Sequence, residues 1–317
     1  MGPSVPSSDF AEQFDSLWSR FDREYSYFAH KRIDWNALRD TYRPRAVAAA
    51  DQRALVDVLL EMLGHLHDVH VMLREPSGAT IPTYTPASFV NWDRPVWQTY
   101  IARANWTQGQ NDWGYGVLDG VPYIVIGGWG PSSIRSADFD AALETFRDAP
   151  ALILDVRMNG GGNDALAFEI AGRFTPSPVI MGSVQFRNGP AHTDFGAPVQ
   201  RTVPPRGAWQ YGGMVVLLIG QRCASSNESF IAAMARMPNV TLAGDQTAGA
   251  TGNPGTFQLA GGWSYTMSRW IEYTADGQVI EDIGIAPDVP VSASPADFAQ
   301  GRDPVLDWAL DHLGAHR

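Results

Sequence analysis

Apolar positions along the chain follow three successive patterns. In about the first 70 residues the apolar side chains recur at helical spacing, which predicts helices over 9–28, 35–49 and 52–67. The aromatic stripe from Phe10 to Tyr25 in the first of these helices is typical of core packing. This part of the chain is therefore predicted to form a small helical bundle.

The pattern changes between about residues 79 and 128. Prolines and threonines at 82–86 and five tryptophans from Trp92 to Trp129 predict short strands and turns. Within this stretch, two apolar runs on either side of an Asp-Gly pair predict a β-hairpin over 115–128. The segment is therefore expected to be rich in strands.

From residue 136 onward, helical and strand patterns alternate. The predicted helices cover 136–149, 163–174, 226–237 and 296–313, and the predicted strands cover 151–157, 214–220, 240–245 and parts of 256–274. Alternation of this kind indicates an α/β layer with parallel strands. The sequence thus predicts an N-terminal helical domain over 1–78 and an α/β domain over 79–317, of which 79–130 is a β-rich, Trp-rich segment.

Composition excludes several classes of function. With 23 basic and 34 acidic residues the formal net charge is −11, which argues against a nucleic-acid partner. No apolar run approaches the length of a membrane-spanning helix. The single cysteine, Cys223, rules out an internal disulfide framework, and the histidine spacing shows no metal cluster, so no metal or cofactor is expected. The first residues lack a signal-peptide pattern, which leaves the compartment open between the cytoplasm and export with removal of a signal.

Lysine is nearly absent from the chain. Lys31 is the only lysine among the 23 basic residues, so a catalytic lysine is close to excluded and a histidine is the expected base of any serine hydrolase here. Among the seven histidines, His70 lies where a predicted helix gives way to a strand. Position alone does not single it out, because most isolated histidines are structural or exposed.

A glycine run follows the predicted buried strand 151–157. The segment Asp155-Val-Arg-Met-Asn159-Gly-Gly-Gly162 lets the backbone approach a ligand and point its N–H groups at an anion. It lacks the Gly-Lys-Ser/Thr ending of a phosphate loop, so an oxyanion hole is the other functional interpretation. A tight turn without a function is the structural alternative.

Two serines and a glutamate complete the candidate chemistry. Ser225 and Ser226 lie between a predicted strand and a predicted helix, where the helix dipole stabilises developing negative charge. The alternative is a helix cap, with Glu228 completing a capping box, although one serine can cap while its neighbour attacks. Glu281 precedes a Pro-Asp turn and is a candidate partner for an imidazole, or a solvated loop charge.

Taken together and in this order, the motifs resemble those of the C-terminal processing (tail-specific) peptidases. The resemblance is closer to the branch that contains the tricorn core protease and the interphotoreceptor retinoid-binding protein. The matching motifs are Leu66-His-Asp68-Val-His70, Asp155 to Gly162, Ser225-Ser-Asn-Glu228, Gly244-Asp-Gln-Thr247-Ala-Gly249 and Glu281 to Asp288. The resemblance implies a crotonase-like (ClpP/crotonase) α/β core and a serine-type peptidase that works through an acyl-enzyme.

The resemblance also implies roles for individual residues. Ser225 becomes the nucleophile, His70 the base and Glu281 the carboxylate that orients the base. The implied oxyanion donors are backbone amides of Gly160 or Gly161 and of Ser226, and the candidate substrate-binding residues are Arg157, Asn159, Thr247 and Gly249. Ala250 stands where the lysine-dependent branch has its lysine, which agrees with the lysine count.

The chain departs from the family pattern in two places. Val69 stands where the tricorn-like pattern has a serine before the base, so the fourth member of that charge-relay set is missing or supplied from elsewhere. Only about 40 residues separate Leu73 from Tyr115, which is too few for the PDZ domain of many processing peptidases. Short peptides or C-terminal ends are therefore the expected substrates.

Three alternatives remain open at this point. The same triad would serve an esterase or amidase acting on a small molecule. A non-catalytic member of the fold could hold an apolar ligand in the aromatic region 89–130, although tryptophans there are more often packing residues. Ser226 is the alternative nucleophile, because a shift of one residue is easy in a Ser-Ser pair.

Overall fold

The computed structural model describes residues 9–110, 113–130 and 132–314. The helices within these ranges are α1 (Phe10–Glu24), α2 (Phe28–Lys31), α3 (Trp35–Val47), α4 (Gln52–Gly64), α5 (Arg94–Ile101), α6 (Ser136–Glu144), α7 (Asp164–Ala171), α8 (Ser226–Met234), α9 (Pro295–Ala299) and α10 (Pro304–Gly314). The strands are β1 (Met72–Arg74), β2 (Thr80–Pro82), β3 (Asn105–Gln108), β4 (Trp113–Leu118), β5 (Val121–Ile126), β6 (Ala151–Asp155), β7 (Val179–Phe186), β8 (Val199–Val203), β9 (Met214–Ile219), β10 (Val240–Gly244), β11 (Gly255–Gln258), β12 (Ser264–Met267), β13 (Trp270–Thr274) and β14 (Val289–Pro290).

The chain divides into two compact units that alternate along the sequence. The first unit contains the residues up to Ala87 together with Val184–Val199 and Ala250–Glu272. The second contains Ser88–Ser183, Gln200–Gly249 and the residues from Tyr273 onward. Strands β7, β8 and β13 form a sheet in the order β13-β7-β8. The domain boundary predicted after residue 78 stays a prediction.

The first unit is a helical bundle with a small sheet. The predicted N-terminal helices are confirmed as α1, α3 and α4, and the apolar face of α1 is buried, as the aromatic stripe predicted. Phe21 packs against Trp35 with ring centroids 5.5 Å apart and against Tyr265 of β12 at 5.7 Å. These aromatic contacts bind the bundle to the antiparallel sheet of order β11-β12-β1-β2.

The second unit is a mixed α/β layer built on a seven-stranded sheet of order β14-β10-β9-β6-β5-β4-β3. The pairs from β14 to β5 are parallel, and β5, β4 and β3 are antiparallel, so the predicted hairpin and the predicted parallel strands are both confirmed. Alternate residues of β6 enter two different cores, with Leu152 and Leu154 in one and Ile153 in the other. Helices α6, α7 and α8 contribute to the first core, and α5 and α10 to the second. Burial on both faces explains why these strands are continuously apolar.

Two parts of the secondary structure differ from the prediction. The segment expected to hold only strands and turns contains α5, which begins after Asp93 because that carboxylate accepts a hydrogen bond from the amide of Val96. The single helix predicted over 296–313 is two helices, α9 and α10. Gly301, with φ of 71°, and Pro304 at the start of α10 separate them.

None of the helices in the described part of the chain is both long and apolar enough to span a bilayer.

Candidate active site

The glycine run and the serine pair lie at the same edge of the large sheet. They follow β6 and β9, which are adjacent and parallel, with Asp155 opposite Leu218. Because the carboxyl ends of parallel neighbours meet at one edge, the loops that follow them come together there. The sheet topology therefore places two of the sequence motifs side by side.

Ser225 occupies a strained position at the start of α8. It is the residue before the first helical turn, its backbone angles are φ 57° and ψ −131°, and its side chain makes no capping hydrogen bond. Positive φ is rare for a residue with a side chain and costs about 1–3 kcal/mol in such a region. The side chain is partly exposed. A strained strand-to-helix turn that presents a serine is also how the nucleophile of α/β-hydrolases is displayed.

The capping box predicted as an alternative for Ser225 does not form. Glu228 is fully buried, and its Oε1 accepts hydrogen bonds from Thr247 Oγ1 at 2.5 Å and from the backbone N–H of Gly249 at 2.8 Å. The backbone N–H of Glu228 donates to the carbonyl oxygen of Ser225 at 2.7 Å. The glutamate of the serine motif therefore anchors a neighbouring loop, a role that the capping pattern concealed.

The two serines have different environments. Ser226 is buried, and its hydroxyl donates to the carbonyl oxygen of Gly162 at 2.8 Å. Its backbone N–H is the first of α8, a position where helices leave amides without an intrahelical partner. The two neighbouring hydroxyls therefore differ in exposure and in hydrogen bonding, and their catalytic roles stay predictions.

The glycine run packs directly against Ser225. A Cβ added to Gly161, which has φ of 108°, would lie 2.8 Å from the Cβ of Ser225 and 2.8 Å from the carbonyl oxygen of Ala224. A Cβ on Gly162, with φ of 137°, would lie 2.1 Å from the carbonyl oxygen of Trp129. Only glycine fits at these two positions.

The amides of the run differ in availability. The N–H of Gly161 donates to Oδ1 of Asn159 at 2.9 Å. A Cβ on Gly160 would meet no heavy atom within 4 Å, so the backbone there borders open space. The Gly161 amide thus has an acceptor within the run, and the oxyanion role of either glycine amide stays a prediction.

A buried amide network holds the run in place. Asn227 donates through Nδ2 to the carbonyl oxygens of Val156 at 3.2 Å and Asn159 at 3.0 Å, and its Oδ1 accepts from Trp129 Nε1 at 3.1 Å. The backbone N–H of Trp129 in turn donates to the carbonyl oxygen of Gly161 at 2.9 Å. Helix α8 thus fixes both the serine and the glycines, which neither motif revealed by itself.

The loop after β10 connects α8 to the turn that carries Glu281. The loop is bonded to the Glu228 carboxylate of α8, as described above. The backbone N–H of Asp282 also donates to the carbonyl oxygen of Gly249 in this loop, at 2.7 Å. Ile285 N donates to Thr247 Oγ1 at 2.7 Å. Glu281 is 2% exposed, so this carboxylate is an interior group and not a solvated loop charge.

The candidate substrate-binding residues all make bonds within the protein. Arg157 is fully buried, and its guanidinium donates to Asp155, to Asp303 and to the carbonyl oxygen of Asn91. Thr247 and Gly249 bond to Glu228 and to the turn after Glu281, and Asn159 bonds to the glycine run and to α8. The hydrogen bonds of Arg157 lie in the interior, and contact of these four residues with a substrate stays a prediction.

His70 lies in the first unit, in a turn between α4 and β1. Burial lowers the pKa of its imidazole below the ordinary value; the nearby carboxylate of Asp68 raises this pKa and the ammonium of Lys31 lowers it. A lowered pKa leaves the ring neutral near pH 7, which is the state a general base requires. Ser225 and Glu281 belong to the second unit, so the triad stays a prediction.

No group of three or more His, Cys, Asp or Glu side chains among the described residues is arranged to hold a metal ion. Cys223 is buried, its thiol donates to the carbonyl oxygen of Val156 at 3.2 Å, and burial raises its pKa far above the ordinary value. The thiol is therefore an interior packing group, not a nucleophile.

Comparison with known proteins identifies the family. Residues 120–291, more than half of the 317-residue chain, match Peptidase family S41, and residues 6–64 match the Tricorn protease C1 domain. The chain belongs to peptidase family S41.

Individual relatives agree with this assignment. The chain is 31% identical over 194 residues to the putative tricorn protease homolog 2 of Streptomyces coelicolor, which covers 59% of this chain and 15% of that protein. A crystal structure of a putative peptidase from Parabacteroides merdae superposes with a TM-score of 0.86 at 28% identity, covering 97% of each chain. The photosystem II D1 C-terminal processing protease shares the fold, with a TM-score of 0.58 at 14% identity over 94% of this chain and 96% of that one.

The chain spans 14–17% of the length of the curated relatives it matches.

Proposed function

We propose that this chain is a serine-type peptidase that hydrolyses short peptides or C-terminal ends through an acyl-enzyme. Ser225 is the nucleophile, His70 the general base and Glu281 the carboxylate that orients the base. In this proposal the α/β domain predicted over residues 79–317 is the catalytic core, and its fold is crotonase-like. Membership of family S41 and the motif order support this proposal.

The reaction proceeds in two displacements. His70 accepts the hydroxyl proton of Ser225 as Oγ bonds to the substrate carbonyl carbon, and Glu281 stabilises the imidazolium. The amides of Gly160 and Ser226 donate to the oxyanion. The C–N bond then breaks, His70 returns the proton to the leaving amine, and water releases the acyl group by the same steps in reverse order.

One observation carries the proposal above the others. Ser225 is held at φ 57° and ψ −131°, is partly exposed, makes no cap, and lies against a glycine run whose Gly161 would clash with it if it bore a Cβ. A serine serving only as a helix cap would use its side-chain oxygen for the first helical amides. The strain and the unused cap fit a hydroxyl reserved for chemistry.

A fluorophosphonate probe with mass-spectrometric mapping tests the nucleophile. Labelling is expected on Ser225 in the folded protein, and Ser225→Ala is expected to lose labelling and on the order of 10³-fold or more of peptide turnover. Ser226→Ala keeps its backbone amide, so the label is still expected on Ser225. Labelling of Ser226 in the wild type, or near-normal turnover by Ser225→Ala, contradicts the assignment.

The same probe separates this proposal from a ligand-binding protein. A folded wild-type protein that takes up no label would favour binding without catalysis. Hydrolysis of peptide anilides, set against p-nitrophenyl esters, decides between a peptidase and a small-molecule esterase.

A further inference from the structure

The turn that carries His70 contains a second ionisable side chain. Asp68 is fully buried, and its Oδ1 accepts a hydrogen bond from the backbone N–H of His70 at 2.8 Å. The N–H of Val71 donates to the backbone carbonyl oxygen of Asp68 at 3.1 Å. Asp68 therefore closes the turn that leads from α4 into β1.

The turn alone does not account for a carboxylate at this position. It uses one side-chain oxygen, which an asparagine would supply without a charge. The other oxygen of Asp68, Oδ2, is buried and has no hydrogen-bond partner among the described residues. Burial of a carboxylate oxygen without a partner is unfavourable, so a purely structural position would favour asparagine.

The imidazole of His70 lies next to this charge. Its Nδ1 is 3.9 Å from Oδ1 of Asp68 and is likewise buried without a hydrogen-bond partner in the described part of the chain. The distance is too long for a hydrogen bond. In a buried site, however, a carboxylate at this distance interacts strongly with an imidazolium.

We propose that Asp68 is a positioning residue for the proposed reaction, fixing the backbone of His70 and stabilising the imidazolium that forms when Ser225 loses its proton. The inference rests on the proposed function, in which His70 is the base. Glu281 orients the ring, and Asp68 supplies a second negative charge from within the turn. Val69, between the two residues, has no polar group to do so.

Two charged groups near His70 shift its pKa in opposite directions. Asp68 raises the pKa of His70 and Lys31 lowers it, and the Lys31 ammonium donates to the carbonyl oxygen of His67 at 3.2 Å. Removing the Asp68 charge should therefore lower the pKa of His70 further. Removing the Lys31 charge should raise it.

NMR titration of the His70 imidazole, assigned with His70→Gln, measures this effect without a substrate. Asp68→Asn keeps the acceptor for the His70 amide and removes only the charge. The pKa of His70 is expected to fall in this variant and to rise in Lys31→Met. Asp51→Asn is the matched control, since Asp51 caps α4 through the amide of Ala54 in the same way and should leave His70 unchanged.

The pH dependence of fluorophosphonate labelling is the second readout. The base must be neutral, so labelling rises with pH through the pKa of His70. In Asp68→Asn this rise should move to lower pH, and the maximal rate should fall by about tenfold or more because the imidazolium is less stabilised. Asp68→Glu restores a carboxylate and should return the pKa of His70 most of the way to its wild-type value.

Two results would overturn the inference. One is a folded Asp68→Asn protein with the wild-type pKa of His70 and the wild-type labelling profile. The other is an Asp68→Glu protein that shows the same loss as Asp68→Asn. These outcomes are distinct from failure of the proposed function. In that case Ser225 is not labelled in the wild type, while the NMR titration still reports whether Asp68 acts on His70.

Discussion

Ser225 precedes α8 but has neither the extended backbone nor the side-chain hydrogen bond of a usual helix N-cap. Its φ of 57° places it where glycine is favoured, although five other described residues with side chains also have positive φ: Arg32, His67, Asp119, Asn253 and Asp282. Unlike Asp9, Asp34 or Asp51, which cap their helices, it leaves the first amides of its helix without a side-chain acceptor. The chain thus retains strain where a cap would be stabilising.

Substitution of Ser225 should therefore separate stability from activity. Ser225→Gly relieves the positive φ and is expected to be about 1 kcal/mol more stable than Ser225→Ala, while both lose labelling. Urea unfolding of the two variants measures the difference. At Ser229, inside α8, the order should reverse, with glycine about 1 kcal/mol less stable than alanine. The same order at both positions would contradict strain at Ser225.

The sequence predicted where the candidate residues lie better than what they touch. The position of Ser225 between a buried strand and a helix followed from the apolar pattern. Its strain and the true partners of Glu228 did not, because Ser-x-x-Glu is also the pattern of a capping box. Asp68 was part of a recognised motif, but its burial depends on the tertiary packing of the turn.

At the scale of elements, α8 organises the site through consecutive residues. Asn227 holds the glycine run after β6, and Glu228 holds the loop after β10. That loop in turn accepts the amide of Asp282, next to Glu281. One short helix therefore connects three of the predicted motifs.

Glu228 provides a test of this connection. Glu228→Ala leaves a buried hydroxyl and a buried amide without their acceptor, which should cost about 2–3 kcal/mol of stability and reduce labelling of Ser225 about tenfold or more. Glu228→Gln keeps an acceptor oxygen in the same place and should lose much less. Chemical denaturation and labelling rates compare the two. If alanine and glutamine behave alike, the hydrogen bonds to the loop are not what positions the site.

The elements themselves were largely predictable. Continuous apolar runs gave β6, β9 and β10, because strands covered on both faces need apolar side chains on both sides. Helix α5 was missed, since its eight residues lie among prolines and tryptophans and begin with a cap that reads equally as a turn. Gly301 and Pro304 cause the break between α9 and α10. The break was not predicted, because the apolar spacing over 296–313 indicates one continuous helix.

At the scale of the molecule, the alternation of two units along the chain was not foreseen. Residues 184–199 and 250–272 belong to the same unit as the N-terminal bundle. The pairing of Leu73 with Tyr265 in its sheet joins positions far apart in sequence. Local periodicity predicts elements but carries no information on such long-range pairing.

The buried Arg157 is a second long-range feature of the same kind. Its guanidinium lies 2.8 Å from both Asp155, at the end of β6, and Asp303, just before α10. Each of the three residues is at most 1% exposed. Sequence placed Arg157 in a candidate substrate-binding motif, because nothing local indicated a partner near the C-terminus.

Asp303→Asn should expose the importance of this cluster. The change keeps the side-chain shape but sets an amide N–H group against the guanidinium and removes one of its two counter-charges, which should cost about 3–5 kcal/mol. Arg302→Gln, at the adjacent position, removes an exposed ion pair with Asp297 and should cost less than about 1 kcal/mol. Hydrogen exchange should show reduced protection in β6 and α10 for Asp303→Asn alone, because Arg157 bonds to Asp155 in the strand and Asp303 accepts the amide of Leu306 in the helix. Equal effects of the two substitutions would mean that the buried charges do not hold the strand end and the helix together.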